Sequence, residues 1–108
     1  MSLLDQAVYH LIFLNGVAGR PLSADVVKRH AAHLAQLDGE GKLVLAGPIP
    51  ERNGGLIVLR VAGLAEAKAI AEEDPMIRGG FQTYELGTWF MSNRQNDFQP
   101  NLQGAVKK

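Results

Sequence analysis

The chain contains no cysteine among its 108 residues. A disulfide scaffold, a thiolate metal site and a cysteine nucleophile are therefore excluded. It also lacks an excess of either charge. Lys and Arg number 11, Asp and Glu number 11, and the formal net charge is 0. Such a balance argues against a nucleic-acid partner, which requires a basic surface to neutralise phosphates, and against a polybasic membrane-surface module. No stretch reaches the roughly 20 apolar residues of a membrane span. Residues 1–6 show no basic segment leading into an apolar run, so no signal peptide is expected and the cytoplasm is the expected location. No phosphate-cradling P-loop, no dinucleotide fingerprint after a strand and no G-x-S-x-G elbow occurs. Histidine appears three times, as His10, His30 and His33.

What is present is the make-up of a globular domain. Apolar residues form 46% and charged residues 20% of the chain, which rules out general disorder. The length fits one domain. Residues 8–14 (VYHLIFL) are short, β-branched and aromatic, and read as a central strand apolar on both faces. Ser23 is placed to cap a helix running to about Glu40, with Gly41 as its stop. Residues 42–46 and 56–61 read as two strands separated by a turn containing Pro50, Asn53, Gly54 and Gly55. A second helix is expected from Leu64 to about Asp74, stopped by Pro75. Residues 81–90 complete the pattern as a fourth strand. Residues 92–108 are polar and read as an extended tail, so the expected division is a domain over 1–91 and a tail over 92–108.

The order βαββαβ is that of a ferredoxin-like α+β fold, with an antiparallel four-stranded sheet and two helices on one face. The first strand alternates Val8, Ile12 and Leu14 with Tyr9, Leu11 and Phe13, so both faces of the sheet are apolar. A chain of this size covers only one of them with helices. The second face is expected to be buried in a homodimer, the alternative being that the C-terminal tail folds back over it.

Helical geometry selects the polar residues that point inward. At about 100° per residue, with Leu64 set to zero, the buried direction of the second helix lies near 310° and Asp74 falls near 280°. A carboxylate there either closes the helix ahead of Pro75 or is held inward for a cavity, where it needs hydrogen bonds. In the first helix, with Val27 at zero, the apolar stripe centres near 290°; His30 falls near 300° and His33 near 240°. Arg29 lies further round on the same flank. His33 sits at the boundary between core and cleft, whereas His30, in the middle of the stripe, reads as a buried structural histidine. His10 lies mid-strand on the Val8/Ile12 face and reads as structural or interfacial. The pair His30-x-x-His33 has a spacing at which two histidines can share a metal, but a third ligand would have to come from His10 or Asp74, and no metal is expected.

The pair His33-Leu34 with Leu37, then Gly41, Leu43 and Ala46-Gly47-Pro48, then Asp74-Pro75-Met76, resembles the YCII-related (YciI-like) family over residues 8–89. The resemblance implies a ferredoxin-like fold among the dimeric α/β barrels, and hence a homodimer. It implies an active site built on His33 and Asp74. Many members carry an arginine at the position of His30; here Arg29 is one step earlier. With His30, Arg29 and His10 as substrate-binding candidates, the resemblance implies cofactor-free proton transfer on a small cyclic or unsaturated molecule. Relatives include a dehydrochlorinase of aromatic degradation and, among nearby barrels, muconolactone isomerases. A histidine that titrates near neutrality, paired with a carboxylate, suits that chemistry. The expectation is therefore a lyase or isomerase with His33 as acid/base and Asp74 as its partner; the alternative is a non-catalytic homodimer that binds a small ligand in the same cleft.

Overall fold

Four strands alternate with helices in the computed structural model, which describes residues 8–102. The expectations for residues 1–6 and for the end of the tail, 103–108, lie outside the described residues. In chain order the elements are β1 (Val8–Gly16), α1 (Ala24–Gly39), β2 (Leu43–Ile49), β3 (Gly54–Leu59), α2 (Leu64–Glu73), α3 (Pro75–Arg78) and β4 (Gln82–Phe90). The strands form one sheet in the order β2-β3-β1-β4. Every neighbouring pair is antiparallel. This is the ferredoxin-like α+β arrangement, with the first and third strands in the centre.

The register fixes which side chains share a face. Opposite residues in a ladder point the same way. Ile12 lies opposite Ile57 and Leu86, and Leu14 opposite Gly55 and Tyr84. Ile12, Leu14, Ile57 and Leu59 pack with Leu37 of α1 and with Ala67, Ile70 and Ala71 of α2 into one buried cluster, so both long helices cover the same face. The opposite face carries Tyr9, Leu11 and Phe13 of β1, aligned with Trp89, Val58 and Leu56. Leu45 of β2 is paired with Val58 on that side and is 66% exposed.

Helix α1 starts where its cap dictates. The Ser23 side chain accepts from the backbone N–H of Val26 at 3.1 Å, satisfying one donor of the first turn. It ends ahead of Gly41, whose φ of +76° lies in the left-handed region that favours glycine.

The expected pair of helices becomes three. Pro75 was expected only to stop α2, and it does; it is also the first residue of the short helix α3. Its fixed φ and missing N–H suit the first helical position, where that donor has no intrahelical partner. The carboxylate just ahead of it then acts as an N-cap. Beyond β4, residues 92–102 contain one 3-10 turn, Arg94–Asn96, closed by reciprocal hydrogen bonds between Asn93 and Asn96.

Candidate active site

Asp74 stands at the elbow between α2 and α3. It caps the C-terminus of one helix and the N-terminus of the next, and it is 1% exposed. A buried carboxylate needs its oxygens satisfied. Oδ1 accepts from the backbone N–H of Met76 at 2.9 Å. Oδ2 is 2.8 Å from Nδ1 of His30, a partner 44 residues away on α1. Both readings of Asp74 offered by the sequence are thus realised at once: it closes the turn, and it is held inward by a side-chain partner.

The pairing corrects one expectation. The histidine that meets Asp74 is His30, not His33. His30 lies in the middle of the apolar stripe of α1, and α1 packs against α3, so its ring is delivered to the elbow. His33, about 60° further round the helix, has its Nε2 buried without a hydrogen-bond partner and forms no hydrogen bond or ion pair with the carboxylate. A carboxylate facing a ring nitrogen at this distance accepts from it, so Nδ1 is the donor of the bond and Nε2 is the ring nitrogen turned away from Asp74.

His30 is also part of the wall of a cleft of about 460 Å³ between α1 and the sheet. Its side chain is 14% exposed. Leu14, Val27, Leu34, Ile57 and Met76 give it apolar walls, and Ala46, Gly47 and Pro48 line it from β2. The short motifs that were scattered along the sequence therefore meet here: Leu34 from α1, Ala46-Gly47-Pro48 from β2, and Met76 beside Asp74. The wall is bare backbone at Gly55, where a Cβ would lie 2.9 Å from the carbonyl oxygen of Gly47. A side chain at that position would force the two strands apart.

The other expected ligand contacts lie elsewhere. Arg29 is exposed and ion-paired to Asp25 one turn back, at 3.0 Å, and does not line the cleft. Its helical position carries it away from the stripe that faces the sheet. His10 is buried on the helix-covered face of β1, opposite Leu59 and Thr88, and is likewise absent from the cleft wall. Its Nδ1 has no hydrogen-bond partner, and burial pushes its pKa below the ordinary value of 6.5. Among the described residues no three His, Asp or Glu side chains gather as a metal site requires.

One cleft residue went unnoticed in the sequence. Gln82, the first residue of β4, is 8% exposed and lines the cleft. Its signal was strand parity: Gln82 is in phase with Tyr84 and Leu86, so a polar side chain occupies an inward position.

Fold and site together define a small α+β domain with a histidine–aspartate pair set into the wall of an apolar cleft. The chain belongs to the YCII-related domain family, whose model matches residues 9–90. It is 30% identical over 63 residues to the uncharacterised protein YjpA of Bacillus subtilis (strain 168), covering 58% of this chain and 74% of that one. Among solved structures it resembles the 5-chloro-2-hydroxyhydroquinone dehydrochlorinase TftG of Burkholderia phenoliruptrix AC1100, in complex with 2,5-dihydroxybenzoquinone. The TM-score is 0.59 at 23% identity, over 82% of this chain and 99% of that one. At that identity the likeness is one of fold. No helix of the described residues is long and apolar enough to cross a membrane.

Proposed function

We propose that this protein is a cofactor-independent enzyme, a lyase or isomerase, that moves a proton on a small cyclic or unsaturated molecule. His30 is the acid/base group and Asp74 holds it. The observation that carries this reading is the 2.8 Å bond between the two side chains at the wall of a cleft. The bond fixes the tautomer of the ring and stabilises the imidazolium formed when Nε2 takes a proton. The role first assigned to His33 thus passes to its neighbour one turn earlier.

The cleft volume suits a molecule of one or two rings, and its apolar wall strengthens the electrostatics of the pair by excluding water. The structural neighbour acts on a small ring compound, which supports the same substrate size. We further propose that the helix-free face of the sheet is closed by a second copy of the chain.

Proton transfer is read directly as exchange of carbon-bound hydrogen for deuterium. Small ring ketones, lactones and phenols are incubated with the protein in deuterium oxide and followed by proton NMR. At least one should exchange in proportion to protein concentration, and His30→Ala should remove that activity. Asp74→Asn should lower it by about tenfold or more, because the ring loses its anchor. Binding without exchange would favour the ligand-binding alternative. Exchange undiminished in His30→Ala would overturn the assignment of the base.

A further inference from the structure

Among the described residues, the cleft wall contains no Lys, Arg, Asp or Glu. Its polar side chains are His30 and Gln82, one from α1 and one from the start of β4. Gln82 is more than nine-tenths buried. Its Oε1 is shut in without a donor, and the amide forms no hydrogen bond with the described residues. An amide that is buried and unpaired costs free energy unless something else completes it. With Oε1 enclosed, the Nε2 end is the one left to the cleft. The cleft thus sets one N–H donor and one basic nitrogen in an apolar, uncharged surround.

We propose that Gln82 is the substrate-polarising residue of the site, and that the substrate is an uncharged ring carbonyl compound whose oxygen accepts from Gln82 Nε2–H. This rests on the proton-transfer reading of His30 and names its substrate class. The step balances without a co-reactant. His30 Nε2 takes a proton from the carbon next to the carbonyl. The C–H electron pair forms the new C=C bond, and the carbonyl π pair moves to the oxygen. The resulting enolate oxygen is held by the Gln82 amide. Return of the proton at a different carbon of an unsaturated ring gives the isomer and restores His30. A donor aimed at an oxyanion is worth far more in a dry cleft than in water, and its loss typically lowers turnover by about a hundredfold or more. A carboxylate substrate is disfavoured because no described residue of the wall is a fixed cation that would offset its desolvation.

The test is an NMR titration of ¹⁵N-labelled protein with two probes built on the same six-membered unsaturated ring, cyclohex-2-enone and cyclohex-1-ene carboxylate. The enone should shift the side-chain amide signals of Gln82 saturably, and the carboxylate should bind at least about tenfold more weakly. Gln82→Leu should weaken enone binding by about tenfold, the worth of one hydrogen bond in a dry site, read at the backbone amides of Gly55 and Met76. Gln82→Met serves if the leucine variant does not fold, and the wild-type amide shift depends on no variant. His30→Ala should keep the Gln82 shift while losing exchange, so failure of the acid/base assignment is separable from failure here. An enone that leaves the Gln82 amide unmoved, or a carboxylate that binds as tightly, would overturn the proposal.

Discussion

His10 and His30 are both drawn inward, yet only one has a partner. His30 meets a carboxylate. His10 has an orphaned Nδ1 and a pKa depressed by burial below 6.5. The consequence for stability follows from proton linkage. As the pH falls through 6.5 the unfolded chain takes up a proton that the folded chain still refuses, so folding weakens with falling pH until the folded value is passed. His10→Leu should therefore lose less thermal stability than the parent between pH 7.5 and about 5.5, in differential scanning calorimetry. The paired carboxylates Glu66 and Glu72, whose pKa values are lowered, respond at more acidic pH and do not confuse this range. Parallel losses in the two proteins would remove His10 as the cause. At this scale the sequence was half legible. Helical spacing set His30 in the middle of the buried stripe. The His33-Leu34 motif drew the expected partner of Asp74 one turn along, because a motif identifies a position without saying which way it faces. Gln82 was missed because a lone polar residue at the start of a strand looks like a solvated one.

Among the elements, α1 links core to cleft. Its buried residues are Val26 and Leu37, while Leu34 is half-buried because it borders the cleft. Leu37→Ala should cost roughly 2–5 kcal/mol in urea unfolding, the cost of a cavity in a packed core. Leu34→Ala should cost less, since the space it leaves joins one already open. Gln36→Ala on the outer surface should cost under about 0.5 kcal/mol. Equal losses at positions 36 and 37 would mean the helix face is misassigned. The four strands and two long helices were readable from period, caps and breakers, since each repeats its pattern over several residues. Helix α3 was not, because four residues are too few to show a period and Pro75 reads first as a breaker. β2 also runs on through Gly47 and Pro48, past the end of the strand expected over residues 42–46. Those residues remain extended because β3 pairs with them across the ladder.

For the whole molecule, the sheet face that no helix of the described residues covers is the dominant feature. Tyr9, Leu11, Phe13, Leu56 and Trp89 lie on it, with Leu45 66% and Trp89 42% exposed. Two copies meeting through this face would bury it by two-fold symmetry. Light scattering after size exclusion should give twice the chain mass. Leu45→Glu should give the single mass with little effect on folding, because in one chain that side chain already faces water. A parent protein of single mass at micromolar concentration would refute the dimer. The His30–Asp74 bond has a consequence at this scale too. It ties α1, in the first βαβ half of the chain, to the elbow of the second half, so it acts as a polar latch added to the packing of α1 against α3. Native-state hydrogen exchange should show the amides of α1 and α3 opening together in the parent. In His30→Ala they should separate into two exchange classes, with the Met76 amide the first to lose protection.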